Sequence, residues 1–185
     1  MNSYCVDLNL PISPLRLDVD INSFPTTPWQ LLSLDLINPD VKNLFKSLNL
    51  NLRVAAMFVL TGNSSGPIHV DGIDNPNVSK LNWVVGSDHI MNWYQIKNPT
   101  SIKTVDTRVS NTANIPSRNY VSYNLDEVDL IHSQVVGFPS IIQAGVPHNV
   151  TNITGTRRCI TIALFNNIGS ALTIEQATQL FSKYI

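Results

Sequence analysis

The chain has 185 residues, of which 14% are charged and 43% hydrophobic, and its formal net charge is −1 at pH 7. This length suffices for one domain with a sizeable core, and the hydrophobic content excludes wholesale disorder. The near-neutral charge, without basic runs, argues against nucleic acid as a partner. No apolar run approaches the roughly 18 residues that span a bilayer, and no secretory signal pattern opens the chain. We therefore expect a single-domain, cytoplasmic protein without a membrane partner.

Residues 1–50 are expected to combine an extended, proline-broken arm with two helices that pack on the rest of the domain. The segment "TTPWQLLSLDLI" offers Thr27 as an N-cap and Pro28 at the first helical position. The segment "NPDVKNLFKSL" repeats this arrangement with Asn38 and Pro39. The sequence leaves open whether this part covers a site as a lid or only packs on a sheet.

Residues 51–165 show the pattern of many short strands. The segments are "LRVAAMFVL", "KLNWVV", "IMNWYQI", "SIKTVDTRV", "NYVSYNL", "SIIQ", "HNVTNI" and "RRCITIALF", with a further strand around His69. They are rich in β-branched and aromatic residues and are separated by Gly, Pro, Asn, Asp and Ser. Eight or nine strands without helical patterns between them favour a sandwich or barrel, hence a mainly β fold. Residues 172–185 predict a C-terminal helix that begins with a capping box of Thr173 and Gln176.

The stretch "GPIHVDG" places His69 and Asp71 two residues apart on an expected strand, so that both side chains point to one face. A distant histidine, His148, opens a later strand pattern in "VPHNVTNI". Two imidazoles and one carboxylate on one side of a metal leave coordination positions open, as in non-haem Fe(II) oxygenases. We therefore predict a metal site at these three residues. His89 is the alternative ligand if His148 turns away, and Asp74 is the alternative to Asp71.

The motif H-x-D, the later motif P-H-x-V-x-N and an arginine ten residues past the second histidine resemble the 2-oxoglutarate/Fe(II)-dependent dioxygenase superfamily. The likeness is to small prolyl-hydroxylase-like or phage-type members, whose "LN" and "WY" segments are matched by Leu81 with Asn82 and Trp93 with Tyr94. It covers roughly residues 52–165. The resemblance implies a double-stranded β-helix, which is a cupin-like jelly roll that makes early and late strands neighbours.

The same resemblance implies that Fe(II) is bound by the three predicted metal ligands and that 2-oxoglutarate is the co-substrate. Arg158 would pair with the distal carboxylate of 2-oxoglutarate, for which a guanidinium fork is well suited. Asn82 and Tyr94 would be lesser contacts of the co-substrate. The expected activity is hydroxylation of an unidentified small-molecule or peptidyl substrate.

The two adjacent arginines raise a question of register, because only one of them can face inward from a regular strand. We choose Arg158 over Arg157 because its spacing fits and because Ile160 and Ile162 then share the inner face. Many family members have Ser or Thr two residues after the arginine, where this chain has Ile160 followed by Thr161. This departure weakens the assignment of 2-oxoglutarate as the acid that the arginine binds. It does not affect the predicted metal ligands.

Two other classes of function fit the same fold. One is a cupin-like metalloenzyme that does not use 2-oxoglutarate, although the chain lacks the H-x-H motif usual in cupins. The other is a non-catalytic jelly-roll binding protein or virion structural protein, which the abundant asparagine and low charge would suit.

Overall fold

A computed structural model describes residues 4–71, 78–86, 88–98, 104–108, 118–137 and 139–185. The strands are β1 (Cys5–Asp7), β2 (Trp29–Leu32), β3 (Ala55–Thr61), β4 (Ser64–Ser65), β5 (Ile68–Val70), β6 (Ser79–Gly86), β7 (His89–Ile96), β8 (Thr104–Arg108), β9 (Arg118–Tyr123), β10 (Val128–Gln134), β11 (Ser140–Gln143), β12 (His148–Asn152) and β13 (Thr156–Ala163). The α-helices are α1 (Pro39–Ser47) and α2 (Ile174–Leu180), and short 3-10 helices lie at Ile21–Ser23, Leu34–Leu36, Leu125–Glu127 and Ser182–Tyr184. Asp74, the alternative ligand, lies outside the described residues.

The strands form two antiparallel sheets. Sheet I has the order β1-β11-β6-β13-β3-β2, and sheet II has the order β10-β7-β12-β5-β9-β8, with β4 beside β12. From β3 to β13 the chain passes repeatedly from one sheet to the other, which is the path of a jelly roll. The expected mainly β, cupin-like jelly roll is confirmed. Its connectivity makes the early strand β5 and the late strand β12 neighbours in sheet II.

Sheet I is buried on both of its faces. Toward sheet II it presents alternate residues such as Cys159 of β13, which packs with Met91 and Trp93 of β7. Its other face carries Trp83 and Ile160, which belong to a larger apolar cluster. That outer cluster also contains Leu8, Leu10 and Leu15 of the N-terminal arm, Val41, Leu44 and Phe45 of α1, and Ile174, Ala177 and Phe181 at the C-terminus. The ends of the chain therefore pack on the outer face of sheet I.

The first of the two predicted N-terminal helices is wrong. Trp29–Leu32 forms β2, which pairs with β3 at the edge of sheet I, and only a 3-10 turn at Leu34–Leu36 follows. The edge of β3 offers this segment main-chain partners, and that tertiary pairing outweighs the local helix-start signal. The second helix, α1, is confirmed, and the side chain of Asn38 accepts a hydrogen bond from the amide of Asp40.

Two further segments test the sequence interpretation. The predicted C-terminal helix is present as α2, and the capping box of Thr173 and Gln176 is formed in both directions. His132 lies in β10, which pairs with β7. Its ring stacks on that of Tyr4 and contacts that of Trp93. No helix among the described residues combines the length and the apolarity needed to cross a bilayer.

The outer cluster can be tested by a matched pair of substitutions. Ile160 is 0% exposed and Ile168 is 81% exposed. Ile160→Ala should lower the free energy of unfolding by about 2–5 kcal/mol, because it leaves a cavity between sheet I and the helices. Ile168→Ala should change it by less than about 0.5 kcal/mol. Urea unfolding followed by circular dichroism measures both, and equal losses would contradict the assignment.

Candidate metal centre

The three predicted metal ligands meet between the two sheets. His69 of β5 lies directly opposite His148 of β12, and Asp71 follows β5 by one residue on the same face. The Nε2 atoms of His69 and His148 lie 3.9 Å and 3.5 Å from Oδ2 of Asp71. One ligand atom from each of the three residues lies within 4.8 Å of the others. This arrangement is compact enough to bind one metal ion.

The hydrogen bonds of the two imidazoles leave the same ring nitrogen available. Nδ1 of His69 lies 2.9 Å from the carbonyl oxygen of Pro67, and Nδ1 of His148 lies 2.8 Å from that of Val146. A carbonyl only accepts, so each Nδ1 must carry the proton and each Nε2 has a lone pair. Metal-binding histidines are commonly oriented by such a second hydrogen bond. The donors therefore fit a divalent metal ion.

The charges of the cluster also suit a metal. Burial, together with the neighbouring His148, lowers the pKa of His69 from 6.5 to about 4, so this imidazole is neutral at physiological pH. Burial alone would raise the pKa of Asp71, but the ammonium of Lys80 holds that pKa well below its usual value. A neutral imidazole and an ionised carboxylate are the forms that bind metals.

Lys80 is a member of this site that the sequence interpretation missed. It lies on β6 of sheet I and is 9% exposed, and its Nζ is 2.7 Å from Oδ2 of Asp71. A signal was present in "KLNWVV", where Lys80 and Asn82 alternate with apolar residues and therefore share one face. A lysine within an otherwise apolar, buried strand indicates a partner of opposite charge.

A cavity of about 130 Å³ adjoins the cluster. The three ligands line it from sheet II, and four polar side chains line it from sheet I. These four are Lys80, Asn82, Arg157 and Thr161. Apolar residues complete the wall: Pro28, Trp29, Phe58, Leu60, Met91, Ile142 and Val150. The cavity thus has one strongly polar region within a largely apolar surround.

The two adjacent arginines have the opposite orientation to the expected one. Arg157 is 2% exposed and lines the cavity, whereas Arg158 does not line it. Ile160 and Ile162 belong to the outer cluster, so Arg158, which shares their face of β13, points away from the metal ligands. The packing of α1 and α2 on sheet I fixes this register.

The other expected residues are divided between the cavity and elsewhere. Asn82 is 4% exposed and lines the cavity. Tyr94 does not line it, and its hydroxyl donates to Oδ1 of Asn149 at 3.1 Å. His89 is buried and lies opposite Asn152 at the start of β7. Within the part of the chain that the structure describes, His89 belongs to neither the ligand cluster nor the cavity wall.

Several buried polar atoms of the cavity wall have no hydrogen-bond partner in the described part of the chain. They are Oδ1 of Asn82, Nε of Arg157 and Oγ1 of Thr161. Arg157 also has no carboxylate partner among the described residues. Unpaired buried polar groups are costly, so such a cluster indicates a ligand that satisfies them. An anion with several oxygen atoms would accept from Nε of Arg157 and from the hydroxyl of Thr161, whereas Oδ1 of Asn82 requires a donor.

Comparisons with known proteins define no family for this chain. No family model matches the sequence, and no curated protein matches it either. Three of the solved structures it resembles are an oxidoreductase of the 2OG-Fe(II) oxygenase family from Burkholderia pseudomallei, an oxalate oxidase in complex with the substrate analogue glycolate, and the vicilin from Solanum melongena.

These likenesses are weak. The identities are 12%, 10% and 12%, and the TM-scores are 0.35, 0.37 and 0.37. The matches cover 67%, 88% and 77% of this chain but only 46%, 63% and 30% of the other chains. The chain thus spans less than two thirds of the length of these structures. Similarity at this level carries no argument about function, which must rest on the site.

The depressed pKa of His69 predicts a dependence of stability on pH. In the metal-free protein, the unfolded imidazole takes up a proton near pH 6.5 and the folded one only near pH 4. The free energy of unfolding should therefore fall as the pH is lowered through this window, by up to about 3 kcal/mol. His69→Asn should remove this part of the pH dependence. Urea unfolding of EDTA-treated protein between pH 7.5 and 4 measures it, and equal slopes for both proteins would contradict the assignment.

Proposed function

We propose that this chain is an Fe(II)- and 2-oxoglutarate-dependent dioxygenase that hydroxylates an unidentified small-molecule or peptidyl substrate. The observation that carries the proposal is a single cavity with a two-histidine, one-carboxylate cluster on one wall and, on the other, a buried arginine whose Nε has no hydrogen-bond partner among the described residues. The alternation of strands between the sheets agrees with the double-stranded β-helix implied by the sequence resemblance. This combination of ligand set and anion site is what such an enzyme requires.

His69, Asp71 and His148 would hold Fe(II), and three protein ligands leave open positions for a co-substrate and O₂. When bound, Fe(II) supplies redox chemistry that couples reduction of O₂ to the decarboxylation of 2-oxoglutarate to succinate and CO₂. The protein's part is to orient both imidazoles, through the carbonyls of Pro67 and Val146.

Arg157 takes the role that the sequence interpretation gave to Arg158. Its guanidinium is buried in the wall opposite the metal ligands and suits a bidentate contact with the distal carboxylate of 2-oxoglutarate. Asn82 and Thr161 lie opposite one another on β6 and β13, and the amide Nδ2 of Asn82 and the hydroxyl of Thr161 would donate further hydrogen bonds to this anion. Tyr94 contacts Asn149 instead and has no part in the proposed co-substrate site.

The apolar surround of the cavity supports a role in oxidation chemistry. Trp29 and Leu60 of sheet I and Val150 of sheet II lie on the wall near the polar cluster. Side chains of this kind keep water away from a reacting centre and accept an uncharged part of a substrate. They leave the identity of the primary substrate open.

An anaerobic titration tests the proposal. Addition of Fe(II) and then 2-oxoglutarate to the apo protein should produce a visible charge-transfer band that requires both components. His69→Ala should abolish the band, because one of the metal ligands is lost. Arg157→Ala should raise the 2-oxoglutarate concentration needed by at least about tenfold, because the buried carboxylate contact is lost. Arg158→Ala is the matched control and should titrate like the wild type.

The other outcomes separate the alternatives. Iron binding without the band would favour a cupin-like metalloenzyme that does not use 2-oxoglutarate. Absence of iron binding would favour a non-catalytic jelly-roll protein. An effect of Arg158→Ala that exceeds that of Arg157→Ala would contradict the orientation of β13.

A further inference from the structure

Lys80 and the metal compete for one carboxylate oxygen. Its Nζ lies 2.7 Å from Oδ2 of Asp71, and the same Oδ2 is the oxygen nearest to Nε2 of both His69 and His148. The ammonium therefore neutralises the carboxylate oxygen that faces both imidazoles, where a metal bound by the three residues would lie. A monovalent cation and a divalent one cannot share this oxygen without strong repulsion, since they would lie within a few ångströms of each other in a buried site.

We infer that Lys80 is a placeholder cation, which holds Asp71 until a divalent metal displaces it and which then binds the anionic co-substrate. This inference rests on the proposed function, because it takes the cluster as a metal site and 2-oxoglutarate as the anion. It adds a coupling between the two binding steps. Metal binding displaces the ammonium of Lys80 from Asp71. The displaced ammonium then increases the affinity of the cavity for a dianion.

The position of Lys80 restricts where its ammonium goes after displacement. The residue is 9% exposed, so its side chain does not simply turn out into solvent. Lys80 lines the cavity together with Asn82 and Arg157, and its Nζ lies 5.9 Å from the ring centroid of Phe58. A flexible four-carbon chain permits movement within the cavity, and the aromatic face offers the cation an intermediate contact.

The charges of the cavity favour the same conclusion. Without metal, the carboxylate of Asp71 is balanced by Lys80, and Arg157 has no carboxylate partner among the described residues. Binding of a divalent metal leaves both cations without a protein anion. A dicarboxylate supplies two negative charges at once, one for the metal and one for the side-chain cations. Metal alone should thus bind weakly, and the dianion should bind well only after the metal.

The test is calorimetric titration of EDTA-treated protein with Mn²⁺, followed by titration of the Mn²⁺-saturated protein with 2-oxoglutarate. Mn²⁺ prefers similar ligands and avoids turnover. Lys80→Met should bind Mn²⁺ at least about tenfold more tightly than the wild type, because the competitor is gone. It should bind 2-oxoglutarate at least about tenfold more weakly, because one cationic contact is lost.

Two further variants make the result interpretable. Lys97→Met is the matched control, since Lys97 is 45% exposed and contacts Asp129 away from the cavity, and it should bind both ligands like the wild type. Lys80→Gln keeps a hydrogen-bond donor without the charge and should change both affinities in the same directions as Lys80→Met. Circular dichroism checks whether Lys80→Met folds. If it does not fold, Lys80→Gln provides the test.

The outcomes distinguish the inference from the proposed function. If the wild type binds Mn²⁺ and Lys80→Met binds it with equal affinity, the placeholder role is overturned and the metal site stands. An unchanged affinity for 2-oxoglutarate overturns the second role of Lys80. If neither protein binds Mn²⁺, the metal site fails, and the inference fails with it. If Mn²⁺ binds only after Lys80 is replaced, the competition is supported.

Discussion

The pairing of β5 with β12 is the constraint on which the candidate site depends. It places His69 opposite His148 although the two residues are far apart in sequence. On its other side β12 pairs with β7, so His148 also lies opposite Trp93. Side chains on paired strands have little freedom, and ligands built on such elements are held more exactly than ligands on loops. The positions of the candidate ligands His69 and His148 are thus determined by the pairing of the strands.

Polar contacts on the outer side of sheet II reinforce this pairing. Asn149, the residue after His148, donates from Nδ2 to the carbonyl oxygen of Gly66 at 3.3 Å, just before β5. Its Oδ1 accepts from Asn92 and Tyr94 of β7 at 3.0 Å and 3.1 Å. One amide therefore ties together the three strands that surround the ligands. Tyr94 supports β12 through this hydrogen bond and does not line the cavity.

The burial of both faces of sheet I allows its inner face to be polar. The larger apolar cluster lies outside the sheet, where the N-terminal arm, α1 and α2 cover it. The inner face can therefore carry Lys80, Asn82, Arg157 and Thr161, three of which leave polar atoms unpaired. Such groups cost stability, and proteins keep them at functional sites when packing elsewhere offsets the loss. Here the outer cluster is the part of the fold that offsets it.

The sequence by itself determined the features that depend on neighbouring residues. The predicted strands, the start of α1 and the capping box of α2 follow from local periodicity and side-chain hydrogen bonds. The common face of His69 and Asp71 follows in the same way from the two-residue repeat of a strand.

Only the tertiary structure decided which face of each strand is inside. On β13 both faces are buried, so the polar–apolar alternation that normally fixes a register is absent, and the choice between Arg157 and Arg158 had no local signal. The same holds for Lys80, whose partner Asp71 comes from the opposite sheet. Trp29–Leu32 is a strand because it pairs with the edge of β3. No local sequence pattern indicates that this edge is available. Contacts between residues that are distant in sequence determine these features, and such contacts cannot be read from a single sequence.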